Sequence, residues 1–350
     1  MITYWQQIDG KLISLEKQEL DPKKRTWIDA RCVTREDISI LENEYKIDQD
    51  YILDILDPDE LSRIEDADDY ILTITRLPIF VPTAEISYFS IPLGVILFPD
   101  KIITICWTDC EVLKDFSANR VKGISLNDFP AFIVQILSRA DITYLRYLKE
   151  INRRASSIQG ELQYTIENKE ILQLLNLQKS MVFFTTSLKS NQLLLEKIRK
   201  TKYIKLDEED RDWLDDVEID NRQALEMADT YSEIFSRVID AFGSVISNNM
   251  NVVMKKLTIV TVVISVPTFI TSFYGMNIYL PFSNLGPISV VIVTGICLLG
   301  IWVTNFFLSD RRRLKKKMPK TKRHGLRKRL ELKKLKKQIE IQEADLEGRK

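Results

Sequence analysis

Late in this 350-residue sequence, Tyr274-Gly275-Met276-Asn277 places a permissive backbone position beside a carboxamide, directly after an uncharged stretch whose polar residues recur at helical spacing. At about 100° per residue, Asn251, Met254, Thr258, Thr261, Ser265, Thr268 and Ser272 share an arc of roughly 100°; Thr271 falls outside it. A lipid-facing anchor would be apolar all round, because a polar group in hydrocarbon is costly unless it has a partner or faces water. The stripe therefore reads either as hydroxyls returned to their own backbone at close helix contacts, or as one wall of a hydrated path. Two helices cannot enclose such a path, so the second reading requires several copies of the chain. Carboxylates form the other candidate set. Asp54, Asp57, Asp59, Glu60, Glu65, Asp66, Asp68 and Asp69 crowd one region, and Asp207 to Asp220 forms a second cluster. Each is either a solvated face or, at a subunit interface, a place where like charges need a divalent cation between them.

Other chemistries have little to stand on. Cys32, Cys106, Cys110 and Cys297 lack paired metal-site spacing, and the only histidine, His324, lies far along the chain, which argues against a structural zinc site and against a His-dependent enzyme site. A phosphate-binding Gly-x-x-x-x-Gly-Lys-Ser/Thr string is absent. The formal net charge is zero, but residues 309–350 hold 18 Lys and Arg against 6 Asp and Glu, leaving +12 there and −12 in the remainder. That basic segment reads as a topology determinant that binds anionic lipid headgroups; with neither a recognition fold nor interleaved aromatics, nucleic acid is not an expected partner.

The elements that must position these groups follow from periodicity. Residues 1–125 read as a mixed α/β domain, with strands among Ile- and Val-rich runs from Trp27 to Trp107, such as Ile71-Leu72-Thr73-Ile74 and Val95-Ile96-Leu97-Phe98. Helical spacing covers Thr34 to Leu56, with Thr34 and Asp37 as a capping pair. Residues 126–205 read as a helical hairpin with a break around Gly160. Residues 206–277 read as a stalk helix that continues into a first membrane span, followed by a connector at 278–286 and a second span at 287–308. Each uncharged run exceeds 20 residues, enough to cross about 30 Å of hydrocarbon. Lys255 and Lys256 precede the first and Arg311 to Lys317 follow the second, so the positive-inside rule places both termini in the cytoplasm. Met1-Ile2-Thr3-Tyr4-Trp5-Gln6 lacks the basic and apolar regions of a signal peptide. Pro267 permits a kink inside the first span.

The string Tyr274-Gly275-Met276-Asn277, closing the penultimate apolar helix after a long stalk, resembles the signature of the CorA family of magnesium transporters. The resemblance implies a homopentameric, channel-like assembly in the plasma (inner) membrane, with an α/β cytoplasmic domain, a long helical stalk and two transmembrane helices per subunit. It assigns Gly275, Met276 and Asn277 to a filter at the outer mouth. It assigns Asn251, Met254, Leu257, Thr261, Ser265 and Thr268 to the pore wall, with Met254 and Leu257 as an apolar constriction that gates by dewetting. Mg²⁺ releases its waters reluctantly, and a ring of carboxamides and carbonyls could hydrogen-bond those waters without stripping them. Leu53-Asp54-Ile55-Leu56 and Asp215-Asp216-Val217 resemble the family's regulatory segments, which implies that Asp54 and Asp216 of neighbouring subunits bind Mg²⁺ and hold the pore shut.

The implied activity is uptake of Mg²⁺, with Co²⁺ or Ni²⁺ as further cargo, down its electrochemical gradient and without an organic cofactor. The family often carries an acidic residue in the outer loop, whereas Ile278 to Asn284 is uncharged; an inside-negative potential still favours entry of a divalent ion by about 4.6 kcal/mol per 100 mV. Two alternatives stay open: zinc transport on the same scaffold, against which the absence of thiol or imidazole along the path weighs, and a membrane-anchored ion sensor that conducts nothing.

Overall fold

The computed structural model describes residues 1–162, 168–202, 204, 206–276 and 287–313. These fall into two compact units, Met1–Ile246 and Ser247–Lys350.

The first unit is built on a seven-stranded sheet. Its strands are β1 (Ile2–Ile8), β2 (Lys11–Leu15), β3 (Thr26–Arg31), β4 (Arg63–Asp66), β5 (Ile71–Phe80), β6 (Tyr88–Leu97) and β7 (Lys101–Cys106). Their order is β2-β1-β3-β7-β6-β5-β4, antiparallel throughout except for the β3–β7 pair, in which Ile28 lies beside Ile103. The first hairpin turns at Asp9-Gly10, both with positive φ, the two-residue turn whose twist matches that of the flanking strands.

Both faces of the sheet are covered, which is why β5 and β6 read as almost continuous apolar runs rather than alternating ones. The period of two still sorts the side chains. Ile28, Leu72, Ile74, Ile96, Ile103 and Ile105 face helices α1 (Arg35–Asn43) and α2 (Gln49–Leu56), whereas Trp27, Leu93, Val95 and Ile102 belong to the larger core beneath the long helices. Gly94 is the point of closest approach, because a Cβ there would lie 2.3 Å from Cδ1 of Ile55 on α2.

The helical reading of 34–56 needs correction. Thr34 and Asp37 do form a reciprocal capping box, but the chain leaves the helix after Asn43, takes a left-handed turn at Lys46 and restarts with the Asp48 carboxylate capping Asp50. The larger core is closed by α3 (Glu111–Ser117), α4 (Phe129–Leu162), α5 (Asn168–Lys200) and the first part of α6 (Glu208–Tyr274). The expected break around Gly160 falls two residues later, where α4 ends at Leu162 before α5 begins at Asn168, and α6 passes Gly243 and Pro267 without interruption. The second unit holds the remainder of α6 and α7 (Pro287–Arg313), whose bounds contain the expected second span.

Candidate functional site

From Leu257 onward α6 carries no charged side chain. Its most apolar window, 18 residues with mean hydropathy 1.8, contains no fully buried residue within one chain. Phe269 is 73% exposed, and Ile264, Leu257 and Val260 are each more than half exposed. On α7 the apolar helix Val290–Thr304 repeats the pattern, with Trp302 67% exposed. An apolar surface of this extent is a binding surface for lipid or for protein.

The two helices meet along one line. In the second unit Ile259, Val263, Val266, Pro267, Ile270 and Tyr274 are the partly covered positions of α6, and a Cβ added at Gly300 of α7 would lie 2.8 Å from Cγ1 of Val266 and 3.9 Å from Cδ1 of Ile270. By helical geometry that seam lies roughly 150° around α6 from the polar stripe. Accordingly Asn251, Met254, Thr258, Thr261, Ser265, Thr268 and Ser272 are all exposed, as is Leu257 beside them. The partner helix of the same chain leaves the stripe open.

The hydroxyls of the stripe donate backwards: Thr258 Oγ1 to the Met254 carbonyl (2.8 Å), Thr261 to Leu257 (3.0 Å), Ser265 to Thr261 (2.8 Å) and Thr268 to Ile264 (2.8 Å). This is the self-satisfied arrangement that the sequence left as one alternative, and it does not close the other. Each hydroxyl spends its single proton on the backbone and keeps lone pairs for a hydrated cation's water hydrogens.

At the end of α6 the Gly275 amide bonds both the Thr271 (3.0 Å) and Ser272 (3.1 Å) carbonyls, and the Met276 amide bonds Phe273 (3.4 Å). Within one chain Gly275 needs no special backbone, since its φ is not positive and an added Cβ would touch the Ser272 carbonyl oxygen at an ordinary 3.4 Å. Met276 is exposed. Asn277, the connector 278–286 and the basic segment beyond Arg313 lie outside the described residues.

The cytoplasmic candidates fall on different elements. Asp54, on α2, is half-buried and bonded to Arg63 Nη2 (2.6 Å), and the same guanidinium also bonds Glu60 and Glu65 (2.6 Å to the latter). Asp216 is an exposed residue of α6. Its neighbour Asp215 and Glu218 pair with Arg199 of α5. Among the described residues no hydrogen bond or ion pair joins Asp54 to Asp216. Among the described residues a carboxylate trio gathers elsewhere: ligand atoms of Asp128, Asp207 and Asp210 come within 4.8 Å of one another. Backbone capping accounts for that gathering, since Asp128 Oδ1 accepts from the Ala131 amide (3.1 Å) and Asp207 Oδ1 from the Asp210 amide (2.8 Å) at the starts of α4 and α6. Burial raises the Asp210 carboxyl above its ordinary range, with the charges of Asp128 and Asp207 adding to the effect.

Sequence reading missed two positioning groups. Arg63 gives no motif, because its three partners meet only when α2, the following loop and β4 are in place. Asn191, on α5, caps the free edge of β5 beyond β4: its Oδ1 accepts from the Arg76 amide (2.9 Å), Thr75 Oγ1 (3.1 Å) and Ser62 Oγ (2.7 Å), and its Nδ2 donates to the Arg76 carbonyl (2.9 Å). The Arg76 guanidinium beneath it, 5% exposed, reaches the Glu60 carbonyl within the acidic segment (2.5 Å). A polar residue among the apolar positions of α5 is the signal that would have pointed to Asn191.

Known proteins resemble this chain over most of its length. The cobalt/magnesium transport protein CorA of Methanocaldococcus jannaschii is 27% identical over 284 residues, covering 79% of this chain and 88% of the relative. That of Thermotoga maritima is 22% identical over 270 residues, covering 75% and 76%. The complete structure of the M. jannaschii CorA magnesium transporter superposes with a TM-score of 0.73 at 24% identity, covering 88% of this chain and 96% of that one. The model of the CorA-like Mg²⁺ transporter family matches residues 22–316, and the chain belongs to that family.

Proposed function

We propose that this chain is one subunit of a homopentameric, channel-like transporter in the plasma membrane that admits Mg²⁺, with Co²⁺ and Ni²⁺ as further cargo, down its electrochemical gradient. The observation that carries the reading is the second unit of the molecule. A helix whose apolar window contains no fully buried residue presents a continuous polar stripe on the side that α7 leaves uncovered. Five such helices around an axis would wall a hydrated path with hydroxyl oxygens, acceptors that suit the water hydrogens of a hard cation keeping its shell. Lipid and neighbouring subunits would cover the apolar remainder, and α7 would form the second crossing.

Gly275, Met276 and Asn277 would form the outer mouth, and the freedom of Gly275 from local steric demand fits a glycine retained for what approaches it from outside the chain. Met254 and Leu257, exposed and apolar, would close the inner part by excluding water. Asp54 and Asp216 would meet across the subunit boundary, where Mg²⁺ would hold the closed state; Arg63 already neutralises Asp54 within each subunit, so the ion would compete with a guanidinium.

The test is Mg²⁺ influx into liposomes that contain the purified protein and a Mg²⁺-sensitive dye, under an inside-negative potential, for the wild type and Asn277→Ala. The reading predicts potential-driven influx that the substitution abolishes. Well-folded wild-type protein that passes no Mg²⁺ at low internal Mg²⁺ would refute it.

A further inference from the structure

A carboxyl group with no salt-bridge partner among the described residues sits between α4 and the stalk part of α6. Asp141, on α4, is 1% exposed, and Asn221, on α6, is fully buried. They share one described bond, from Asn221 Nδ2 to Asp141 Oδ1 at 3.0 Å. The second oxygen of each, Asp141 Oδ2 and Asn221 Oδ1, is buried without a partner. Two orphaned acceptors on side chains already joined by one bond would each carry the full cost of lost hydration. A single hydrogen between them removes both costs.

We propose that Asp141 is held as the neutral carboxylic acid and forms a two-bond acid–amide pair with Asn221, a proton-dependent latch that ties α6 to the α4 hairpin. In this pair the Asp141 hydroxyl donates to Asn221 Oδ1 while Asn221 Nδ2 donates to the Asp141 carbonyl oxygen. The surroundings agree. Ala140, Leu214, Val217 and Ala224 are buried in the same core. The groups that act on Asp141 electrically are Asp220, on α6, and Tyr144, one turn on along α4; neither supplies positive charge. Burial pushes the Asp141 carboxyl well above the ordinary carboxylate range, the Asn221 bond opposes that shift, and Asp220 reinforces it. A metal ion would be a poorer occupant, because two buried protein oxygens fall short of the six or more that a divalent ion takes.

The sign follows from proton counting. A group whose folded form holds a proton that its unfolded form releases stabilises the fold fully at acid pH, and loses that contribution as pH rises through its folded-state value. For this one group the loss is about tenfold in the folded-to-unfolded ratio per pH unit between the two values.

The latch needs no ion flux, so its test is separate from that of the transport reading. Infrared difference spectra of the full-length protein in nanodiscs, wild type against Asp141→Asn, should show at neutral pH the carbonyl band of a protonated acid that the variant lacks. Asp141→Asn supplies the same two bonds as an amide pair with no carboxyl proton to lose, so it should melt like the wild type at acid pH, below the unfolded carboxylate value, and melt higher than the wild type at neutral and alkaline pH. Asp141→Ala should melt lower than Asp141→Asn at every pH, because it leaves Asn221 without the second bond. If the variants do not fold, wild type with isotopically labelled aspartate carboxyls still decides, because the protonated band must be present at neutral pH. Absence of that band, or an Asp141→Asn variant as unstable as Asp141→Ala, overturns the proposal.

Discussion

Replacing Gly300 by alanine should force α7 away from α6. The added Cβ would lie 2.8 Å from Val266 Cγ1, against the 3.5–4.0 Å or so at which carbon atoms pack. Val266 cannot easily yield, because a β-branched side chain in a helix has one strongly preferred χ1 rotamer. The remaining outlets are a helix separation of up to about 1 Å, which thins every contact along the seam, or an off-rotamer valine; overpacking of this kind costs about 1–3 kcal/mol. Because the clash resides in a single methyl group, Val266→Ala in the Gly300→Ala background should recover most of the loss. Thermal melting of the detergent-purified full-length protein, as a four-member cycle of wild type, both single variants and the double variant, reads the coupling directly. A Gly300→Ala protein that melts like the wild type, or a double variant as unstable as the sum of the singles, would refute this seam.

Three further outcomes follow from the first unit. Asn191→Ala leaves the Arg76 amide and carbonyl unpaired at a covered strand edge, so urea unfolding should show a loss of about 2–4 kcal/mol, more than for an exposed asparagine elsewhere. The Arg146 guanidinium holds the Glu111 carboxyl below its ordinary range, so the pair's stabilisation is present above the unfolded carboxylate value and lost as pH falls through the lower folded one. Both side chains are more than a third exposed, so solvent screening limits the effect to about 1 kcal/mol or less, visible as a smaller acid-side loss in Glu111→Gln melting curves. Replacing Asp54 and Asp216 together by alanine should weaken Mg²⁺ protection of the cytoplasmic part against protease, and unchanged protection would remove them from the regulatory reading.

Much of the architecture was legible because it is written in short-range patterns. The strands at Ile71–Phe80 and Tyr88–Leu97, the Thr34–Asp37 cap and the unbroken course of α6 all follow from local spacing. The β1–β2 hairpin was equally local, with Asp9-Gly10 as its signal, although the strand reading began only at Trp27. The split between α1 and α2 was hidden because apolar residues keep helical spacing across Glu44 to Ile47, and only Asp48 marks the restart. Tertiary partners were not legible. Asp54 reads as a free acid until β4 brings Arg63 to it, and the direction of the polar stripe away from α7 depends on where Gly300 lets the two helices touch. The hydroxyls show the limit most clearly: sequence chemistry allowed back-bonding or a hydrated wall, and the back-bonds coexist with an open stripe.

The central claim is that this stripe of α6 faces the ion. Single cysteines placed in a background lacking the four native ones, at Ser265 and Thr268 on the stripe and at Phe269 off it, separate the faces. A small, charged, water-soluble thiol reagent should block Mg²⁺ influx into liposomes through the first two and leave influx through the third intact. Equal block at all three positions, or block at position 269 alone, would contradict the account.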